Sequence, residues 1–312
     1  MAGRVARLNV NGVATWVVEK VGECRLIVGE FPTTRAFFEH GGPQAIAEGN
    51  IGGPVSGSFL SPVTRDARFV CQATNYADHV REVGGNPADI VNNVLFTKAS
   101  SSISPPDTEI VRPAHVRLLD YEIELGLVLR KRIDGPIEVR SGGLGEWLGG
   151  LVIVNDISAR DVQISHGQFH KAKSYRTFAP VGPWLVLPTA EEWDAIGSLR
   201  LELKVNGEVR QSSAASEMIF DPAATLSEIG TIMDLDAGDL IATGTPGGVA
   251  LHPPGAFVQA LGGFLSPKRR FSAFMKGQLK RAEYLKDGDV IESRIYDPTL
   301  GIDLGIQTNR VV

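Results

Sequence analysis

A chain of 312 residues, 43% of them apolar, is globular in composition and long enough for one large domain or a large domain with a small companion. Its net charge of -5 is mild and scattered, which argues against a nucleic-acid or anionic-membrane surface and leaves a small molecule as the expected partner. Two cysteines, Cys24 and Cys71, an N-terminus without an apolar signal core, and no apolar run near the ~20 residues of a membrane helix together predict a soluble cytoplasmic protein.

Residues 3–29 alternate apolar and polar positions around Asn11-Gly12, the pattern of a leading β-hairpin unit. Thr33 to Gly49 turns helical, with Phe37, Phe38 and Ile46 among polar residues. The Gly/Pro/Ser-rich stretch GNIGGPVSGS follows and reads as a linker. The expected division is a small N-terminal domain over residues 1–62 and a catalytic domain over 63–312.

Arg68–Cys71 is a short strand, and ATNYADHVREVGG after it reads as a helix capped by Asn75 or Asp78 and stopped at Gly84-Gly85. His79 and Glu82 are three apart and share a helix face, so the carboxylate can fix the imidazole tautomer as a general base requires. Such a pair on its own is more often a solvated contact. Val94–Thr97 is a strand, and Pro105-Pro106 excludes a central strand just beyond it.

In LDYEIEL, apolar Leu119, Tyr121, Ile123 and Leu125 alternate with Asp120, Glu122 and Glu124, so three carboxylates line one strand face. Without an interleaved Lys or Arg they repel, and a bound cation removes the conflict. Leu151–Val154 reads as a strand buried on both faces that ends at Asp156. Carboxylates alone make a hard oxygen site suited to Mg²⁺, Mn²⁺ or Ca²⁺ rather than Zn²⁺. His166 and His170 have i,i+4 spacing but lack the HExxH glutamate, and are read as non-ligands. Lys173 is a surface lysine or, beside a carboxylate-held ion, a cation that steadies a developing enolate.

Residues 199–210 enter a hairpin at Asn206-Gly207, and Leu226–Met233 is a short amphipathic helix. TGTPGG offers backbone N–H groups and the hydroxyls of Thr243 and Thr245 as a cradle for a substrate carboxylate, without the GK[ST] of a nucleotide loop. Residues 251–281 read as a loop with a helix, and LKDGDVIESRI as a turn and strand.

Taken in order, NYADHVRE, LDYEIEL, VNDISARDVQ, KSYRTFAPVGPW, GDLIATGTPGGV and LKDGDVIES resemble the fumarylacetoacetate hydrolase family from about Arg68 to Thr308. The resemblance implies an α+β, predominantly β fold, a mixed β-sandwich roll, usually dimeric. It implies Glu122, Glu124 and Asp156 as ligands of Mg²⁺, or of Mn²⁺ or Ca²⁺; His79 and Glu82 as a water-activating dyad; and Lys173 as the group that holds substrate and carbanion. Arg160, Gln163, Thr245 and Tyr76 fall on its substrate side. The implied reaction is hydrolysis of a C–C bond in a 2,4-dioxo acid through a metal-held enolate, as in aromatic-compound catabolism. Oxaloacetate decarboxylation and keto–enol tautomerisation are the alternatives, and a non-catalytic metal-dependent binding protein is the rival of another class. Two departures stand out. Arg176 replaces the acidic residue of the family's KSFDTF and is a candidate anchor for a second carboxylate, and the 251–281 segment is longer than usual.

Overall fold

The computed structural model describes residues 3–140, 142–252 and 267–312. An eleven-stranded mixed sheet forms its backbone. From one edge the order is Ile51–Pro54, Glu23–Ile27, Val13–Lys20, Gly3–Val10, Leu185–Leu187, Leu148–Asn155, Ile123–Leu129, Leu240–Ala242, Phe69–Ala73 and Val94–Lys98. Ser58–Leu60 adds to Gly3–Val10. Most pairings are antiparallel, but Leu240–Ala242 runs parallel to Phe69–Ala73, with Ile241 opposite Val70. A second, antiparallel sheet contains Glu208–Ala214, Arg200–Val205, Val290–Asp297 and Ile302–Arg310.

The leading hairpin forms where expected. Asn11 and Gly12 both take positive φ, 52° and 87°, which gives the two-residue loop that matches strand twist. This unit is continuous with the rest of the sheet, because Gly3, Arg4 and Val5 pair with Leu187, Val186 and Leu185. The boundary expected near residue 62 therefore runs between strands of one sheet. GNIGGPVSGS is not a free linker: Ile51–Pro54 and Ser58–Leu60 within it are strands. Pro54 is tolerated because its strand is the sheet edge, where a missing N–H leaves no neighbour unsatisfied. The helical stretch before it splits into Thr34–Glu39 and Gly42–Ala47.

Central strands are buried on both faces. Leu125, Leu127 and Ile153 join one apolar cluster, shared with Leu201, Leu203, Ile291 and Leu304 of the second sheet. Val128, Val152 and Val154 point the other way, into a cluster with Cys71, Phe69 and Phe37. Continuous apolar runs in these strands are thus explained by two-sided burial. The architecture is the β-rich α+β sandwich that the motif order implies.

LDYEIEL is not one strand. Leu119–Asp120 pairs with Ser158–Ala159, while Ile123–Leu129 belongs to the large sheet, and the chain changes partner across Tyr121-Glu122. At this break the Asn155 side chain accepts from the Glu122 N–H at 3.0 Å, and the Asp156 N–H donates to Glu122 O at 2.8 Å. Glu122 is held beside Asp156 by backbone contacts rather than by the pleat. Helix Pro267–Gln278 lies within the long 251–281 segment, whose residues 253–266 fall outside the described ones. Among the described residues no helix is long and apolar enough to cross a membrane.

Candidate active site

Strands ending or starting at one end of the large sheet deliver the charged groups. Asp156 follows Leu148–Asn155, Glu124 is the second residue of Ile123–Leu129, and Thr243 to Thr245 follow Leu240–Ala242. The carboxylate oxygens of Glu122, Glu124 and Asp156 lie within 4.8 Å of one another, and all three residues are buried. A surface decorated with acids is therefore excluded.

Three cations enter this buried cluster. Lys173 Nζ donates to Asp156 Oδ2 at 2.6 Å, Glu122 Oε2 at 2.7 Å and Ser158 Oγ at 2.8 Å. Lys98, buried at the end of Val94–Lys98, donates to Asp156 Oδ1 and, at 2.8 Å, to Phe178 O. Arg160 donates to Glu122 Oε1, to Asp120 Oδ2 at 2.8 Å and to Gln163 Oε1 at 2.9 Å. Lys173 is thus no surface lysine. Burial by itself opposes its charge, but Asp156 and Glu122 hold its pKa above the ordinary lysine value. Burial likewise disfavours the charged Glu122, and Arg160 and Lys173 overcome it, lowering its pKa to about 2.

Glu124 is different. Its contact is the Gly244 N–H at 2.9 Å, and burial, followed by repulsion from Asp156 and Glu122, raises its pKa well above the usual carboxylate value. Four buried carboxylates, Asp120 included, face three cations, and Glu124 makes no ion pair among the described residues. A divalent cation fits this donor set: hard oxygens, an unbalanced negative charge and one carboxylate lacking a cationic partner. Glu122, Glu124 and Asp156 would hold it.

His79 and Glu82 lie on the helix Ala77–Glu82. Tyr76 is the N-cap, so neither Asn75 nor Asp78 caps it. Asn75 instead bonds to the backbone of Phe220 and Thr243. His79 is 8% exposed, with Nδ1 3.6 Å from Glu82 Oε2. Glu82 accepts from the Gly248 N–H at 2.9 Å and lies 3.1 Å from His252 Nε2 through its other oxygen. Burial would raise the Glu82 pKa, yet His79, Gly248 and His252 together lower it.

The TGTPGG loop works differently from a free cradle. The N–H groups of Gly244 and Gly248 are directed at Glu124 and Glu82, while the hydroxyls of Thr243 and Thr245 donate to Leu125 O and Ile123 O, both at 2.9 Å. Gly248 has φ +102°, and a Cβ there would lie 1.9 Å from Arg210 O, so glycine is obligatory. Gln211 Nε2 donates to Thr245 Oγ1 at 2.8 Å, fixing that hydroxyl.

A cavity of about 210 Å³ opens on these groups. Glu122, Glu124, Lys173, Arg160, Gln163 and Thr245 line one part of it, and His79 adjoins them. Val83, Phe96, Phe169 and Leu251 form an apolar wall, with the two phenyl rings stacked 4.8 Å apart at 26°. Tyr76 is fully buried and Arg176 exposed, and neither lines the cavity. His170 turns Nδ1 to Thr97 O at 2.8 Å. Sequence reasoning missed Lys98, Asp120 as partner of Arg160, Gln211 and His252. Lys98 shares a strand face with Phe96, but only the fold shows that this face adjoins the cavity.

Similarity to known proteins agrees with this geometry. Over 200 residues, 63% of this chain and 62% of the other, it is 34% identical to the rat protein named oxaloacetate tautomerase Fahd2a, mitochondrial. It superposes on the fumarylacetoacetate hydrolase of Exiguobacterium antarcticum with a TM-score of 0.74 and 31% identity, covering 99% of both chains. For the 5-carboxymethyl-2-hydroxymuconate delta-isomerase of Mycobacterium smegmatis the TM-score is 0.69 at 26% identity, covering 99% of this chain and 98% of that one. Residues 68–312 match the family model described as fumarylacetoacetate (FAA) hydrolase, C-terminal, and with the sheet order and the buried carboxylate cluster this establishes that the chain belongs to the fumarylacetoacetate hydrolase family.

Proposed function

We propose that this protein hydrolyses the C–C bond of a 2,4-dioxo acid, an acylpyruvate, in a reaction dependent on Mg²⁺ or a similar divalent ion. The observation that carries the reading is that His79, backed by Glu82, lines the same cavity as Glu122, Glu124 and Lys173. A general base and an anion-stabilising cation adjoin one ion site.

When bound by Glu122, Glu124 and Asp156, the ion would act as a Lewis acid towards the 2-oxo acid oxygens. His79 has Nδ1 turned to Glu82, so Nε2 is the nitrogen left to take a proton from water. The hydroxide oxygen bonds to the distal carbonyl carbon as that proton moves to Nε2. Cleavage of the C–C bond sends its electron pair into the pyruvate fragment as an enolate, and the acyl fragment leaves as a carboxylic acid. Lys173, already charged and held in place by Asp156 and Glu122, lies where it can steady the enolate. Return of the proton from His79 to carbon completes pyruvate.

The wall of Phe96, Phe169, Val83 and Leu251 supports an apolar acyl substituent, alkyl or aryl. At about 210 Å³ the cavity falls below the ~300–1,000 Å³ of drug-sized sites, which favours a small one. The name of the rat relative supports a second reading, in which His79 moves a proton between carbon and oxygen of oxaloacetate without breaking a C–C bond. We further propose a homodimer acting in the cytoplasm.

Loss of acylpyruvate enol absorbance, with pyruvate and an acid as products, is expected in Mg²⁺ and not in EDTA. His79→Ala should lower kcat by about 10²–10⁴. Interconversion of oxaloacetate keto and enol forms without acylpyruvate cleavage would replace the hydrolase reading by the tautomerase one. Binding of Mg²⁺ and oxalate with no turnover of either substrate would reject both.

A further inference from the structure

Glu82 is held from two sides. Its Oε2 faces His79 Nδ1 and accepts from the Gly248 N–H, whereas Oε1 lies 3.1 Å from His252 Nε2. His252 follows the TGTPGGV motif and lies in the 251–281 segment. It is itself anchored. Arg281 Nη2 lies 3.0 Å from His252 Nδ1, Arg281 Nε donates to Ala250 O at 3.1 Å, and Gln278 Nε2 donates to His252 O at 2.6 Å. Buried Tyr284 fixes Gln278 in turn, its hydroxyl donating to Gln278 Oε1 at 2.7 Å.

The chemistry of these partners sets the tautomer. His252 Nδ1 lies 3.0 Å from Arg281 Nη2 and 3.4 Å from Ala250 O; a guanidinium donates and never accepts, so the shorter contact makes Nδ1 the acceptor and leaves Ala250 O to Arg281 Nε. In the neutral ring the proton then resides on Nε2, the nitrogen directed at Glu82. From this geometry we infer that His252 is a positioning residue: with Arg281 behind it, it stops the Glu82 carboxylate from rotating and so keeps Oε2 facing His79. The inference rests on the reading of His79 as the base. It extends the dyad into an ordered series, His79, Glu82, His252 and Arg281, whose last two members come from outside the motifs of the family.

Two substitutions separate positioning from packing. The Gln amide nitrogen reaches about as far as His Nε2, and the Asn amide only as far as Nδ1. His252→Asn and His252→Ala should lower kcat about tenfold, the scale of one hydrogen bond to a charged group, with KM changed less than twofold. His252→Gln should recover most of that loss. Equal losses in the Asn and Gln variants, or an effect confined to KM, would overturn the assignment. So would unchanged kcat in all three.

These rates are measured on whichever of acylpyruvate or oxaloacetate the wild type turns over. Turnover of neither removes the catalytic reading, and the contact is then decided by histidine-ring ¹⁵N–¹H correlation spectra, with the His252 signals assigned by their loss in His252→Gln. Glu82→Gln should shift the ring signals of both His79 and His252. A His252 ring unaffected by that change refutes the proposal whatever the substrate.

Discussion

Lys173 Nζ lies 2.6 Å from Asp156 Oδ2, in the space where a carboxylate-held ion would also draw on Asp156. The same ammonium reaches Glu122 Oε2 at 2.7 Å, so two of the three carboxylates in the cluster answer to Lys173 as well as to one another. A divalent ion held by the cluster would be a like charge sharing ligands with the lysine.

Opposite effects on binding and turnover follow for Lys173→Met. Removing the ammonium relieves repulsion of the ion, so Mg²⁺ should bind more tightly, by about fivefold or more. Turnover should fall about a hundredfold, because the group proposed to steady the enolate is gone. Calorimetric titration with Mg²⁺ and steady-state kinetics on one preparation check both; weaker Mg²⁺ binding would show that Lys173 acts mainly by orienting the carboxylates.

Glu124→Gln should stabilise the metal-free protein. An acid whose folded-state pKa is raised binds protons more tightly folded than unfolded, so its ionisation costs stability that is absent at low pH and incurred as pH rises through and above the ordinary carboxylate value. In EDTA at pH 8 the variant should melt several degrees above the wild type. Added Mg²⁺ should raise the wild-type Tm and leave that of the variant unchanged.

For Glu122 the sign reverses. Its folded pKa is lowered to about 2 from the ordinary 4.5, so it contributes stability that is present above pH 4.5 and lost as pH falls towards 2. Chemical denaturation in EDTA at several pH values should show wild-type stability declining through this window. Glu122→Gln should lower stability at pH 7 and flatten the decline; an equally steep acid limb in the variant would shift its origin to other carboxylates.

Phe169→Ala should discriminate between acyl groups. The ring stacks on Phe96 in the cavity wall, and its removal exposes one face of an apolar subsite. KM for an aryl acylpyruvate should rise about tenfold and that for the methyl analogue less than threefold. A uniform change for both would mean that Phe169 supports the fold of the site rather than the substituent.

Much of the site was legible because its residues belong to short motifs. HVRE, YEIE, ND and TGTP put His79, Glu82, Glu122, Glu124, Asp156 and Thr245 in view, and hard-ion chemistry followed from carboxylates unaccompanied by Cys or His. Lys98 was not legible in the same way. One lysine at a strand end resembles any other until the fold brings it to Asp156, 58 residues away. His252 was hidden for a similar reason, since its contact with Glu82 spans 170 positions and belongs to no motif. The linker reading failed at residues 51–60 because glycine and proline at a sheet edge have the composition of a loop.

By itself, the sequence determined the residue chemistry of this protein: its strand periods, its Asn-Gly hairpin loops, its ordered motifs and the hard-oxygen character of the cluster. Those features depend on neighbours close in the chain. Tertiary structure alone decided that Glu122 leaves the regular strand, that Lys173 and Lys98 are buried on Asp156, and that Arg176 remains at the surface. The physical reason is burial. How far a carboxylate or an amine is removed from water, and which opposite charge compensates it there, depends on chain segments distant in sequence, and that compensation sets the charge each group carries in the site.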